Sequence, residues 1–506
     1  MKKTNETEII EIVNKIKNIS HKSMKKGKYG DVLKKIKIVT SIEQMFSYQF
    51  VDLEIEQMLV EVSDKLLPFK KKFLPVKNRF VFCDSFAWDN HCLSQQYLNA
   101  MMSMNVNILY IIDDFISSHS QTLINELKLY DKATIFIVPK DIGLDMQVKL
   151  IYNQITNFQP EKIFLQTLSI LFIVALNSIE YIPRYRINLA DHLFWVGIDC
   201  VDYLIEFRNF GLTLSHQKRK YEYNKILLLP FYPIIDDKTE FRGFPKEARN
   251  KIILYSGGAV YKICDKNNIF FEIMKRLLLE NPSIIILFSA RGDDTILKNY
   301  IKLNSLENRL ILLGYRYDIN EVFNNCDIYL QTFPLIGGLM TQYAAYNGKP
   351  ILSYSTYERV EINTILEDIS FDKLSDSYKI IYTELEDFFA EARKLILNEK
   401  YRISIGENLK KSVISPEQFN NEFRQLITTN KNIRKTKEVF IDYVKMKKSS
   451  FESQESSYDG FILFVMKSFR FTSIIFFPRM ILRFLPIFIT KYNKIIINQV
   501  NKHLKM

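Results

Sequence analysis

The stretch DIYLQTFPLIGGLMTQYAAYNGKPIL, residues 327 to 352, decides how the chain is read. A short apolar run ends at Thr332 and Pro334 breaks it. Gly337 and Gly338 turn the chain, a helix follows from about Leu339, and Gly348 closes it. Lys349-Pro350 then launches the next strand. Glycines between a strand and a helix let backbone approach a ligand. The helix start presents unpaired N–H groups and the positive end of the dipole. A pyrophosphate matches such a site. The bland alternative is a turn that only packs helix on strand.

Outward from this turn the pattern repeats. On the N-terminal side NKIILYSGG (250–258), SIIILFSA (283–290) and RLILLG (309–314) read as strands, with IFFEIMKRLLLE (269–280) and INEVFNNC (319–326) as helices between them. KPILSYS (349–355) is a further strand, and helical patterns follow from Glu384 and from Pro416. Earlier in the chain RFVFCD (79–84), NILYIID (107–113), TIFIVP (134–139) and EKIFLQ (161–166) alternate with amphipathic runs. Strands alternating with helices imply βαβ units and parallel sheets. The segment 227–250 between the two series holds Pro230, Pro233 and Pro245 and reads as a linker.

The expected class is α/β, with two Rossmann-like domains. Residues 1–75 form a helical segment, with Ile9, Ile12, Val13 and Ile16 at helical spacing. Residues 76–240 form the first Rossmann-like domain, 241–430 the second and 431–506 a basic amphipathic tail. Two such domains in series leave a cleft between their strand C-termini, where open α/β sheets bind ligands.

Composition excludes several classes. The 506 residues are 47% hydrophobic, which rules out general disorder. Of the formal charge of +12, residues 461–506 carry +8, with eight Lys or Arg and no acid. The remaining chain is not basic enough for a nucleic-acid binder. Cys83, Cys92, Cys200, Cys264 and Cys326 are scattered without a CxxC pair, so neither a disulfide framework nor a zinc site is expected. The N-terminus lacks the apolar core of a signal peptide. The tail, with Lys467, Arg470, Arg479 and Arg483 among apolar residues, suits an anionic membrane surface or packs across the first domain.

The segment 327–352 resembles the nucleotide-sugar site of GT-B glycosyltransferases: a proline, paired glycines, a short helix and G-x-P. The stretch DHLFWVGIDCVDYLIEFRNFGLTLSHQKR, residues 191–219, resembles bacterial relatives of the protein O-linked N-acetylglucosaminyltransferases. The likeness spans about residues 80–430. It implies a nucleotide-sugar donor, UDP-linked, as co-substrate, with no other cofactor and no metal. The donor would lie against Ser256, Gly257, Gly258, Gly337, Gly338, Leu339, Met340, Thr341 and Gln342. Lys262 and Arg291 are candidate phosphate cations, and Tyr315 and Arg316 stand where relatives hold the base. Tyr343 and Leu335 replace two carboxylates of the retaining families, which disfavours retention.

On the acceptor side, Asp191 or His192 is the candidate base or acceptor-orienting residue, since inverting transfer needs a proton acceptor. The alternative is a structural histidine beside Phe194 and Trp195. Glu206 and Arg208 are further polar candidates or an ion pair. Asp84 and Asp89, flanking Trp88, line the acceptor pocket or are loop acids. Asp113-Asp114 and Asp293-Asp294 read as strand-end and helix-capping acids. The acceptor is expected to be a saccharide or lipid-linked saccharide, handled on the cytoplasmic face of the membrane. A catalytically silent partner subunit, a protein Ser/Thr transferase and an epimerase are the rival readings.

Overall fold

A computed structural model of the chain describes residues 6–87, 89, 94–113, 121–188, 190–235, 239–357, 364, 379–447, 458–469, 476 and 477. Three helices come first: α1 (Glu6–Lys25), α2 (Tyr29–Phe46) and α3 (Leu53–Leu66). Asp52 starts α3 by accepting from the amide of Ile55 at 3.2 Å, a helix-capping bond.

The first sheet comprises β1 (Arg79–Asp84), β2 (Asn107–Ile112), β3 (Ala133–Ile137), β4 (Lys162–Gln166), β5 (Arg184–Ile187), β6 (Tyr203–Glu206) and β7 (Ile226–Leu228). Its order is β3-β2-β1-β4-β5-β6-β7, and every pairing is parallel. The linking helices are α4 (Ser94–Ser103), α5 (Gln121–Leu129), α6 (Leu144–Phe158), α7 (Ile170–Leu176) and α8 (Asn209–Gln217).

Parallel strands buried on both faces read as continuous apolar runs, and the two-residue period sends alternate side chains to opposite cores. Val81, Cys83, Leu109, Ile111, Ile163 and Leu165 face one core. Phe80, Phe82, Ile108, Tyr110, Ile112 and Phe164 face the other. The first of these cores also takes Ile9, Ile16, Leu33, Ile36, Ile55 and Leu59, so α1–α3 form an outer layer on this domain.

The second sheet comprises β8 (Ile252–Ala259), β9 (Ile284–Arg291), β10 (Leu310–Leu312), β11 (Ile328–Leu330), β12 (Ile351–Tyr354) and β13 (Ile381–Tyr382). Its order is β10-β9-β8-β11-β12-β13, again all parallel. Helices α9 (Ile269–Glu280), α10 (Thr295–Leu303), α11 (Ile319–Asn325) and α12 (Gly338–Tyr346) connect the strands. Strand order reverses between β8 and β11, which places a switch-point crevice at their C-terminal ends. The molecule thus has the GT-B arrangement of two Rossmann-like domains.

The helix Pro416–Thr429 follows the second domain in sequence but packs on the first. Phe419 and Phe423 meet Tyr97 edge-on, at 5.2 and 5.5 Å between ring centroids.

The start of the tail behaves similarly. Phe461, Val465 and Phe469 recur every fourth residue on the helix Tyr458–Phe469, which makes one apolar stripe. That stripe is buried in the same core as α1–α3, with Phe461 edge-on to Phe46 at 5.2 Å. These aromatics cover protein rather than lipid, so any membrane contact falls to other tail residues. Lys467 is exposed, whereas Arg470, Arg479 and Arg483 lie outside the described residues. Among the described residues, no helix is long and apolar enough to cross a membrane.

Candidate active site

At the second-domain switch point, Gly337 is the N-cap of α12 and no side chain caps the helix. The first bond inside the helix runs from the Thr341 amide to the Gly337 carbonyl at 3.0 Å. The amides of Gly338, Leu339 and Met340 precede it and have no acceptor within the helix.

Lys262 comes to this helix start from the loop after β8. Its ammonium donates to the Ile336 carbonyl at 3.1 Å and lies 3.9 Å from where a Cβ on Gly337 would sit. The Leu335 amide donates to the Lys262 carbonyl at 3.2 Å, so the two loops clasp each other. Burial pushes the Lys262 pKa down, and no acid offsets it. A desolvated ammonium beside the positive end of a helix is a poor arrangement until an anion arrives.

The remaining donor-side residues divide by placement. Gly257 packs against β9, where an added Cβ would come 3.0 Å from the Ser289 carbonyl. Gly258 stands opposite Ala290, and the exposed Arg291 opposite Ala259, both at the sheet's C-terminal edge. Tyr315 is partly exposed and meets Tyr317 edge-on at 4.7 Å.

Four side chains turn inward instead. Ser256 is fully buried in the strand. The Thr341 hydroxyl donates to the Gly337 carbonyl at 3.1 Å and accepts from Gln331 Nε2 at 2.8 Å, so it is no free donor in the first turn. Gln342 is buried on the inner face of α12. Arg316 forms a two-pronged pair with Asp318, at 2.7 and 2.5 Å, and braces the Gly243 carbonyl at 2.9 Å. Its guanidinium ties the linker to the second domain and does not face a base. Tyr343, in place of a ribose-binding carboxylate, donates its hydroxyl to the Ile234 carbonyl at 2.6 Å.

On the first domain, β5 and β6 end at Ile187 and Glu206, and the loop between them carries Asp191 and His192. Asp191 is buried, and Arg208 grips it through Nε at 2.6 Å and Nη2 at 3.0 Å. Burial alone would raise its pKa, but Arg208 and His192 outweigh burial and hold the carboxyl well below the usual range. Permanently ionised and paired, Asp191 is a poor proton acceptor. It serves instead as partner to His192, whose Nδ1 lies 3.3 Å from its Oδ1. The His192 side chain is 42% exposed, so the ring meets solvent.

Arg208 therefore pairs with Asp191 and not with Glu206, which takes bonds from Asn188 at 2.8 Å and Ser215 at 2.6 Å. Burial pushes Glu206 up to about 7. Arg208 also donates to the Thr364 carbonyl in the second domain, which brings this loop to the domain boundary. Replacing Arg208 with Met strands a buried carboxylate, and a loss of about 3 kcal/mol in urea unfolding is expected.

Asp84 is wholly buried and builds its own turn, accepting from the Phe86 amide at 2.8 Å and the Tyr110 hydroxyl at 2.7 Å. Asp89 caps α5 through the amides of Thr122 and Leu123, both at 2.8 Å. Asp293 accepts from Thr295 at the start of α10. Trp88 and Asp114 lie outside the described residues. Among the described residues, no group of three or more His, Cys, Asp or Glu could hold a metal ion.

Sequence reasoning missed Arg186, Arg219 and Glu56, whose contacts with the His192 loop span 10, 28 and 141 residues.

No family model matches the chain, and no curated protein matches it in sequence. Solved structures match in fold. Anabaena Alr3699/HepE in complex with UDP and glucose is 13% identical, over 69% of this chain and 99% of that one, with a TM-score of 0.51. The same protein in complex with UDP-glucose is 12% identical over the same 69% and 99%, with a TM-score of 0.52. A Thermobaculum terrenum O-GlcNAc transferase mutant is 12% identical, over 87% of this chain and 84% of that one, at 0.50. At these identities the likeness concerns the fold.

Proposed function

We propose that the chain is a glycosyltransferase that moves a sugar from a UDP-linked donor to a hydroxyl of a saccharide or lipid-linked saccharide, with inversion and without a metal. The observation that carries this reading is the uncapped start of α12 with the desolvated ammonium of Lys262 beside it. The fold neighbours include HepE in complex with UDP-glucose, which supports the same donor class.

In this mechanism the amides of Gly338 and Leu339, with Lys262, take the diphosphate and stabilise it as it leaves. Arg291 supplies a second cation from the sheet edge. The acceptor hydroxyl attacks the anomeric carbon opposite the leaving group. His192 removes its proton through Nε2 while Asp191 accepts from Nδ1–H. The bond between sugar and diphosphate breaks, and UDP departs with the electron pair.

His192→Ala tests the assignment. Turnover of UDP-glucose or UDP-N-acetylglucosamine, read as UDP release with saccharide acceptors present, should fall roughly 10²- to 10⁴-fold. UDP affinity by calorimetry should not change. A variant as fast as the parent would remove the base from the mechanism.

The replacement of two carboxylates by Tyr343 and Leu335 favours one second reading, a catalytically silent partner of another transferase. Absence of UDP release with every donor, despite UDP binding, would select it. We place the chain on the cytoplasmic face of the membrane, held there by the basic residues of 461–506. The inward-facing stripe of Phe461, Val465 and Phe469 takes no part in that contact.

A further inference from the structure

The outer helical layer contains a carboxylate where an apolar residue would pack at lower cost. Glu56 lies on α3 beside Ile55, Met58, Leu59 and Val62, and it is 3% exposed. Burial pushes its pKa up to about 7. A buried carboxylate is retained where donors need it. Here the donors lie 141 residues away: the Gly197 amide donates to Glu56 Oε1 at 2.7 Å, and the Ile198 amide also binds the carboxylate.

Gly197 closes the loop that begins at Asp191. Its φ of +99° and its contact with Ile173, whose Cδ1 would be 2.4 Å from an added Cβ, admit only glycine. The rest of the loop is clamped by two buried arginines. Arg219 Nη2 donates to the carbonyls on either side of His192, to Asp191 at 2.8 Å and Leu193 at 2.6 Å. Arg186 Nη1 donates to the Val196 carbonyl at 3.0 Å. The guanidinium groups of Arg186 and Arg219 lie 3.9 and 4.9 Å from the centre of the Trp195 ring. Both clamps belong to the first domain's own fold. Glu56 reaches in from the helical layer, where the centre of the Phe50 ring also lies 5.4 Å from the Arg219 guanidinium.

We infer that Glu56 is a positioning residue: by holding the amides of Gly197 and Ile198 it fixes the far end of the His192 loop, and so makes the helical layer part of the catalytic apparatus. This rests on the proposed role of His192 as base. A site held this tightly is preorganised for proton transfer.

The test uses the full chain and its Glu56→Leu, Glu56→Gln and His192→Ala variants, with UDP-glucose and UDP-N-acetylglucosamine as probes. Four quantities are read: the UDP Kd, kcat and KM for UDP release, and the His192 imidazole titration by NMR. Glu56→Leu is expected to lower kcat about 10- to 100-fold with UDP Kd and donor KM unchanged, and to shift the His192 titration. Glu56→Gln should keep both at the parental values, because its amide oxygen can still accept from the Gly197 N–H. Should Glu56→Leu fail to fold, Glu56→Asp, one methylene shorter, carries the same expectation. Parental kcat and an unmoved His192 titration in a folded Glu56 variant, with His192→Ala inactive, would overturn the inference. Parental turnover in His192→Ala would instead overturn the functional reading. The titration would then still show whether Glu56 governs the loop.

Discussion

Gly338→Asp is expected to weaken UDP binding by roughly 10²- to 10³-fold while leaving the melting temperature unchanged or slightly higher. Gly338 is the first residue of α12, and no side chain caps that helix. A carboxylate in the first turn is favourable to the helix itself, since it faces the positive end of the dipole. The same carboxylate stands where the diphosphate would bind. Two unit charges about 4 Å apart at an effective dielectric of about 20 repel by about 4 kcal/mol. That corresponds to a loss of roughly 10²- to 10³-fold in affinity. Calorimetric titration with UDP and a thermal melt of the same sample separate the two effects. A variant that binds UDP as the parent does would mean that the anion site lies elsewhere.

Lys262→Met should produce the second large effect. Methionine keeps an unbranched apolar stem, one heavy atom shorter than lysine, and deletes the charge. Deleting one preorganised cation at a leaving group is expected to lower kcat about 10²- to 10³-fold.

The pH dependence follows from the direction of the lysine's shift. Its pKa is lowered by burial in the free protein, and a bound diphosphate favours the ammonium and raises it. UDP binding should therefore take up a proton as pH approaches the lowered pKa, and affinity should fall as pH rises through it. Lys262→Met should show neither response.

Stability should move the opposite way. In the pH range between the folded and unfolded pKa values, the unfolded chain binds the extra proton, so Lys262 weakens the fold most at lower pH. The methionine variant should melt no lower than the parent, and higher at neutral pH. A charge held against the stability of the fold is the mark of a functional group.

The fold was legible because parallel strands covered on both faces need unbroken apolar runs, and residues 79–84, 107–112 and 283–290 supply them. β11 is only three residues long, yet the proline and glycines after it marked its end. The helix start after Pro334 was visible for the same reason, since turn chemistry is local, but nothing local joined Lys262 to it: the lysine and its acceptor Ile336 stand 74 residues apart.

Partner choice was not legible. Asp191 and Arg208 stand 17 residues apart, with Glu206 between them as an equally plausible partner, and only the folded loop decides which pair forms. Thr341 and Arg316 sit in segments that looked ligand-facing, but helix phase turns one inward and Asp318 captures the other. The stripe of Phe461 and its neighbours fits lipid or protein equally well, because apolar burial has no directionality. The return of residues 416–429 to the first domain leaves no mark in sequence order.

One measurement bears on the central claim most directly: a crystal structure of the full chain soaked with UDP. The account predicts the diphosphate at the start of α12, with its oxygens within hydrogen-bond distance of the Gly338 and Leu339 amides and of Lys262 Nζ. UDP bound elsewhere, with that helix start left bare, would contradict it.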